Sequence, residues 1–311
     1  MVFALLSFHS QRDSPPATEE VVWSSISPRT NNRLITGGGS GIGRAVAILF
    51  AKEKGRCTMN DLTIYDTLAE SWWQAGSPLH LLARMNPARF AYFDPLVRHW
   101  PDLRVLDVGC GGGLAAACLV QRGARVVGLD LSWASLHVAA RQTRRPGCPE
   151  AVFTCGQAEA LPFADASFEV VWCTDVLEHL ADCSAAIAQI ARVLKPGGLF
   201  LYDTINRSWL SRLLVIGFWE YLARVAPRGT HDWQLFLTPA ELHRLLTDHG
   251  LQPGTIQGML PLWWSPWRGW RFRLIRYTGI LYLGYAVKPA APPQGGRMAT
   301  DFRTRPAPPA L

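Results

Sequence analysis

The chain has 311 residues, of which 49% are hydrophobic and 18% are charged. This composition supplies enough apolar side chains for a core and excludes a fully disordered protein. At about 100–200 residues per domain, the length allows two domains or one large domain with extensions. Seven cysteines without a Cys-x-x-Cys pair disfavour a zinc ribbon or a disulfide framework. They favour a reducing compartment, which we expect to be the cytoplasm.

The positive charge is confined to the C-terminal part of the chain. The formal net charge is +7, yet residues 1–250 contain equal numbers of basic and acidic side chains. The excess lies beyond residue 250, together with four of the 13 tryptophans, Trp263, Trp264, Trp267 and Trp270. Charge confined to one aromatic-rich segment predicts contact with a local anionic surface rather than a globally cationic protein.

Residues 1–58 are predicted to form an N-terminal extension. Residues 1–33 lack a sustained hydrophobic period and a basic leader, so we expect loop or disorder and no signal or transit peptide. Residues 34–43 read LITGGGSGIG and resemble the nucleotide loop of short-chain dehydrogenases. That family also needs a Tyr followed by Lys four residues later, and none of the seven tyrosines fits. We therefore expect a non-functional βα fragment, and an NAD(P)-dependent dehydrogenase is the less favoured alternative.

From Leu103 onward, predicted strands alternate with predicted helices. The alternation predicts an α/β fold with a doubly wound, mostly parallel sheet whose two faces are both covered. Upstream, helical periods are interrupted by Pro78, Pro87 and Pro95, which we expect to break helices. We predict a main domain over residues 59–287 and a basic, proline-rich tail over residues 288–311.

The segment Val105–Gly113 reads VLDVGCGGG between a predicted strand and a predicted helix. In that context a glycine-rich loop indicates nucleotide binding. Gly109 and Gly111 lack a Cβ and would let a ligand approach the backbone closely. Asp130 ends the next strand, 21 residues after Gly109, where a carboxylate can accept hydrogen bonds from both hydroxyls of a ribose. The alternative is a structural turn with a surface aspartate.

Asp107 stands two residues before the first glycine of this loop. The run DVGCGGG resembles motif I of class I S-adenosylmethionine-dependent methyltransferases, and the later LPFADASFEVVWC and LKPGG fit the same superfamily. The resemblance covers about residues 100–205 and implies a Rossmann-like fold with S-adenosylmethionine as cofactor. It also implies that Asp107 organises the loop, that Gly109 to Gly111 face the methionine part, and that Asp130 holds the ribose.

Flanking segments resemble the ubiquinone-biosynthesis O-methyltransferases over about residues 62–260. The match includes R-x-N-P-x-R at 84–89 and P-R-G-T-H-D at 227–232. The resemblance implies O-methylation of polyprenylated catechols and of demethylubiquinol. Two alternatives stay open: a methyltransferase for another phenol or small acid, and a non-catalytic scaffold that binds the cofactor or a quinone-synthesis complex. Assembly into a homo-oligomer also stays open.

Three further cofactor contacts follow from the resemblance. Arg89, in NPAR, and Thr174, after Cys173, occupy positions that contact the cofactor in the family, although relatives often carry Met at the second position. Gln157 lies in the loop after the third predicted strand. Its side chain can hydrogen-bond the amino group of an adenine.

Asp175, Glu178 and His179 are spaced i, i+3 and i+4, which would place them on one helical face. The family resemblance implies that they form a divalent-metal site, and two carboxylates with one imidazole suit Mg²⁺. A bound cation would acidify the catechol, so Glu178 and His179 are the predicted catalytic residues. His179 could instead act as general base without metal, or be purely structural. By resemblance, His231 and Asp232 border the acceptor pocket.

The segment 207–227 is strongly apolar but carries several charges. Because a transmembrane helix needs about 20 uncharged residues, we expect an interfacial helix with arginines at lipid head groups. The stretch 261–285 repeats the mixture of Trp and Arg, and Arg268 to Arg276 would meet anionic lipid. These features predict a peripheral protein on the cytoplasmic face of the inner membrane. A buried cap over the active site is the alternative, and no nucleic-acid partner is expected.

Overall fold

The computed structural model describes residues 62–77, 79–144, 147–222, 229–265 and 269–290. The dehydrogenase-like segment, the rest of the predicted extension and most of the predicted tail lie outside these residues. None of the helices in this part of the chain is long and apolar enough to cross a bilayer.

The described strands form one sheet. They are β1 (Arg104–Val108), β2 (Arg125–Asp130), β3 (Val152–Cys155), β4 (Phe168–Cys173), β5 (Leu194–Ile205), β6 (Gln252–Ser265), β7 (Gly269–Ile275) and β8 (Leu281–Val287). Their order across the sheet is β3-β2-β1-β4-β5-β8-β6-β7. The strands β1 to β5 pair in parallel. In contrast, β8 pairs antiparallel with β5 and β6, and β7 pairs antiparallel with β6.

Helices flank the sheet and connect most of the parallel strands. They are α1 (Leu62–Thr67), α2 (His80–Val97), α3 (Leu114–Gln121), α4 (Trp133–Gln142), α5 (Cys183–Val193), α6 (Trp209–Ser211) and α7 (Pro239–Asp248). α6 continues directly into a π-helical segment, Arg212–Leu222. Short 3₁₀ turns cover Ala69–Ser71, Ala158–Ala160, Leu177–His179 and Trp233–Leu235.

Two apolar clusters cover the two faces of the sheet. Val105 of β1 and Trp172 of β4 belong to one cluster, with the buried side of α2. Leu106 and Val171, their immediate neighbours, belong to the other cluster, with the buried sides of α5 and α7. Successive side chains of a strand point to opposite faces, so β1 and β4 each contribute to both clusters. The predicted doubly wound, mostly parallel α/β fold is confirmed.

Two proline predictions were wrong, because Pro87 and Pro95 lie inside α2. A proline within a helix removes a backbone hydrogen bond and costs stability. In α2 this loss is opposed by burial, since Phe90 and Phe93 pack on Trp172 with ring centroids 4.9 Å away. Tertiary packing therefore overrides the local preference at these two positions. Pro78 lies outside the described residues.

The Trp- and Arg-rich stretch after residue 268 is extended and forms β7 and β8. In β7, Phe272 and Leu274 are partly buried against the first cluster, whereas Arg271 and Arg273 are exposed. This alternation has the period of two that is typical of a strand with one covered face. The arginines therefore lie on the outer face of a sheet edge.

Candidate active site

A cavity of about 350 Å³ lies at the carboxyl ends of the central strands. In open α/β sheets, ligands bind at this edge, and the volume falls in the range of roughly 300–1,000 Å³ usual for ligand pockets. The ten residues predicted to bind the cofactor or a metal, or to act in catalysis, all line it: Arg89, Asp107, Gly109, Gly111, Asp130, Gln157, Thr174, Asp175, Glu178 and His179. The structure thus brings the predicted cofactor residues and the predicted catalytic residues into one cavity.

The glycine loop between β1 and α3 is built for close packing. Gly109 and Gly111 have φ values of 69° and 49°, a region that residues with a Cβ rarely adopt. A Cβ on Gly109 would lie 2.3 Å from Cγ2 of Val176, and one on Gly111 would lie 2.5 Å from Cη2 of Trp72. These two positions must therefore be glycine to avoid a clash with neighbouring side chains, whether or not a ligand is bound.

Asp130 fixes the shape of this loop. One carboxylate oxygen accepts a hydrogen bond from the amide of Gly111, and the other accepts one from the amide of Ser132, both at 2.8 Å. Burial raises the pKa of Asp130 above its usual range. Each carboxylate oxygen has a second lone pair, so Asp130 can hold the loop and still accept hydrogen bonds from ribose hydroxyls.

Asp107 is a buried acid whose side chain is only partly satisfied. Its residue is 2% exposed, and within the described residues its Oδ2 has no hydrogen-bond partner. Burial, and then the charge of Asp130, raise the pKa of Asp107 to about 8. Buried polar atoms in native proteins nearly always have a partner. An orphaned oxygen beside a cavity therefore fits a site for a polar ligand such as S-adenosylmethionine.

Arg89 joins three elements at the floor of the cavity. Its Nε donates to Asp203 of β5 at 2.5 Å, and its Nη2 forms an ion pair with Asp175. Asp203 also accepts a hydrogen bond from the amide of Asp175 at 2.8 Å. Asp175 has φ 55°, which is strained for a residue other than glycine. Asp203 therefore holds both the arginine and the strained turn after β4.

The helical arrangement of Asp175, Glu178 and His179 was predicted wrongly. The left-handed φ of Asp175 stops a helix from including it, and only Leu177–His179 form a 3₁₀ turn. Asp175 faces Arg89, while Oε2 of Glu178 accepts a hydrogen bond from Thr204 at 2.8 Å. Within the described residues, no group of three or more His, Cys, Asp or Glu side chains is arranged to hold a metal ion. The residues as they stand do not fit Mg²⁺.

Gln157 and Thr174 line the cavity on either side of the glycine loop. Gln157 directly precedes the 3₁₀ turn Ala158–Ala160. The hydroxyl of Thr174 accepts a hydrogen bond from the indole of Trp172 at 3.0 Å. This hydrogen bond ties Thr174 to the core. The threonine side chain also fills less of the cavity than a methionine at this position would.

Comparisons with known proteins decide the family. A profile of a methyltransferase domain matches residues 106–202. A ubiquinone biosynthesis O-methyltransferase from Xanthomonas axonopodis pv. citri is 38% identical over 231 residues, which cover 74% of this chain and 94% of that protein. One from Methylobacterium nodulans is 35% identical over 244 residues, covering 75% and 96%. The chain belongs to this O-methyltransferase family. It is an S-adenosylmethionine-dependent O-methyltransferase.

Solved structures support the fold of this methyltransferase. A magnesium protoporphyrin IX methyltransferase from Synechocystis with bound S-adenosylhomocysteine is 18% identical, covers 73% of this chain and 94% of that chain, and has a TM-score of 0.51. The [4+2]-cyclase SpnF is 17% identical, covers 74% and 95%, and has a TM-score of 0.52. At such identities the likeness concerns architecture alone, and the site must be argued from its own residues.

The cavity of this methyltransferase also contains two imidazoles. His179 and His231 stack with ring centroids 5.3 Å apart, and both line the cavity. Burial, together with His231, lowers the pKa of His179 to about 3, so His179 is neutral at physiological pH. Burial and the charges of Asp175 and Asp203 raise the pKa of Glu178, which favours its protonated form.

His231 and Asp232, both expected at the acceptor pocket, play different parts. His231 lines the cavity, as predicted. Asp232 caps the 3₁₀ turn Trp233–Leu235, where its carboxylate accepts a hydrogen bond from the amide of Gln234 at 2.9 Å. Asp232 is not among the residues that line the cavity, so its predicted place there was wrong. Its short polar side chain serves the local turn.

Three site residues escaped the sequence analysis. Trp72 packs on the glycine loop and donates its indole N–H to Ser135 at 2.9 Å. Asp203 and Glu220 are acids within strongly apolar stretches, and each is buried. A lone acid in a stretch expected to be buried must have a partner. The sequence shows such a lone acid at Asp203 and at Glu220, but it does not show which residue is the partner.

We predict that Asp107 makes the stability of the methyltransferase pH-dependent. Its pKa is about 8 in the folded chain and near 3.8 ordinarily, so the folded state keeps a proton that the unfolded state has lost. Raising the pH through this window therefore lowers the free energy of unfolding. Asp107→Asn should lose less stability than the wild type when urea unfolding at pH 5 is compared with unfolding at pH 8.

Asp102→Asn is the control for this comparison. Asp102 is an exposed acid that pairs with Arg125 at 2.7 Å, and asparagine tolerates its positive φ of 63°. This variant should keep the pH dependence of the wild type. Parallel stability curves for Asp107→Asn and the wild type would show that Asp107 does not bind the extra proton.

Proposed function

We propose that the protein methylates a hydroxyl group of a polyprenylated catechol, including demethylubiquinol, in ubiquinone biosynthesis. The observation that carries the proposal is the composition of the cavity. The glycine loop and Asp130 line the cavity together with the apolar side chains of Leu82, Val215 and Trp219. A polar cofactor and an apolar acceptor can therefore meet in a single space. The names of the relatives support the same acceptor class.

In this proposal, S-adenosylmethionine, when bound, supplies a methyl group activated by a sulfonium. The acceptor oxygen forms the new C–O bond as the C–S bond breaks, S-adenosylhomocysteine leaves, and the hydroxyl proton passes to a basic group of the site. The chain's own share is position, because the methyl group is already activated. Asp130 binds the ribose of the cofactor, and the hydroxyl of the acceptor lies near Glu178 and His179.

The first test is methyl transfer by the full chain. We expect purified protein to transfer label from S-adenosylmethionine to a short-chain demethylubiquinol. Asp130→Ala should lose most of its cofactor affinity in calorimetry, since it removes the acceptor of the Gly111 amide and of the ribose. A loss of about tenfold or more corresponds to one charge-assisted hydrogen bond. Absence of transfer to this acceptor, alongside transfer to other phenols, would redirect the proposal to another substrate.

The Mg²⁺ expectation is tested in the same assay. Arg89 already places a positive charge against Asp175, and Thr204 already donates to Glu178. We therefore expect rates in Mg²⁺ and in EDTA to agree within about twofold, well below the effect of losing a catalytic metal. A large loss in EDTA that disappears in Asp175→Ala would instead assign the metal to this triad.

We also propose that the π-helical segment Arg212–Leu222 and α6 dock on a membrane. Four of their large apolar side chains are exposed. These are Trp209, which is 75% exposed, Leu213, Phe218 and Tyr221. Val215 of the same segment is buried in the core. An apolar outer face with arginine near it is typical of interfacial helices. A peripheral position on the cytoplasmic face of the inner membrane would bring the cavity close to a lipid-borne acceptor.

Vesicle binding tests the membrane proposal. The protein should sediment with vesicles of phosphatidylglycerol, and Leu213→Asp with Phe218→Asp should abolish most of that binding, because charges oppose insertion of the apolar face. Trp133→Asp is the matched control, since Trp133 is also 41% exposed, like Phe218, but lies on α4. Equal sedimentation of all three proteins would contradict the proposal.

A further inference from the structure

Glu220 is a buried acid that the mechanism above does not use. It lies in the π-helical segment and is 1% exposed. Its Oε2 accepts a hydrogen bond from the amide of Gly229 at 2.8 Å, and its Oε1 accepts one from the amide of His231 at 3.0 Å. The same Oε1 lies 2.6 Å from Nδ1 of His231. One carboxylate therefore links the segment that bears the proposed membrane face to the loop that carries His231.

These contacts fix the imidazole of His231. A carboxylate can only accept, so Nδ1 must carry a proton and donate it to Glu220. In the neutral ring, Nε2 is then the nitrogen with the free lone pair. The side chain of His231 is 14% exposed, and it lines the cavity beside His179. The ring therefore offers the acceptor pocket a hydrogen-bond acceptor in a fixed orientation.

We propose that Glu220 is a positioning residue of the acceptor site, which holds His231 so that Nε2 accepts a hydrogen bond from the hydroxyl to be methylated. The inference rests on the proposed function, because it needs an acceptor with a hydroxyl group. A hydroxyl that donates its proton to Nε2 would keep its oxygen lone pairs free to attack a methyl group. The π-helical segment thereby takes part in catalysis through the Glu220 carboxylate.

A pair of substitutions at His231 separates this role from a purely structural one. In His231→Asn, the amide nitrogen replaces Nδ1 and still donates to Glu220, but nothing replaces Nε2. In His231→Gln, the longer amide reaches the place of Nε2 and gives up the bond to Glu220. We expect His231→Asn to lose about tenfold or more in kcat/KM for the acceptor, as for one hydrogen bond to the reacting group. His231→Gln should retain more activity than His231→Asn.

Cofactor affinity and a matched control complete the experiment. Glu220→Gln should lower kcat/KM for the acceptor while S-adenosylhomocysteine affinity in calorimetry stays within about twofold, because the cofactor end is untouched. Glu169→Gln is the control. Glu169 also accepts a hydrogen bond from a backbone amide, that of Arg104 at 2.9 Å, and forms an ion pair with Lys195. It lies at the amino end of β4, away from the carboxyl end that borders the cavity. This variant should keep wild-type kcat/KM.

Two results would overturn the inference. One is a His231→Asn variant that is folded and as active as the wild type, with His231→Gln inactive, since that order indicates a structural clamp alone. The other is a wild-type ¹⁵N spectrum in which Nε2 of His231 carries the proton. The spectrum needs no acceptor, so it decides the inference even if the chain methylates no quinol. Absence of any transfer by the wild type would count against the proposed function instead.

Discussion

The guanidinium of Arg89 lies between the carboxylates of Asp175 and Asp203, and its side chain is only 3% exposed. Through this contact α2, the turn after β4 and the end of β5 meet at one point. Removing one partner of a buried ion pair leaves an uncompensated charge, which costs about 3–5 kcal/mol. The arrangement of the whole cavity floor depends on this cluster, because Asp203 also fixes the strained backbone of Asp175.

Two acids fix the backbone of the loops where the cofactor is expected. Asp130 holds the glycine loop, and Asp203 holds the neighbouring turn. Both acids use backbone amides as partners, so their function depends on loop shape and less on side-chain identity around them. Catalysis that works by position needs such fixed loops. The loop that carries His231 is held in a comparable way by Glu220, which accepts hydrogen bonds from two backbone amides.

The parts that the sequence predicted are those with a local signal. The strand, glycine loop and helix around Gly109 form a contiguous pattern, and Asp130 follows at a set distance, so both could be placed from residues 104–142 alone. The parts that were missed depend on partners far along the chain. Asp203 pairs with Arg89 across 114 residues, and Trp72 reaches a loop nearly 40 residues later. Local patterns cannot supply such pairings, nor the packing that keeps Pro87 within α2.

Trp72 belongs to a segment that precedes the sheet, yet it lies against the loop beneath the cofactor pocket. The segment from α1 to Trp72 packs against α4. Such peripheral elements open at a smaller free-energy cost than the core. Because Tyr65 and Trp72 also line the cavity, one wall of the pocket comes from chain that precedes the first strand, and losing this segment would open the pocket while the central strands keep their pairing.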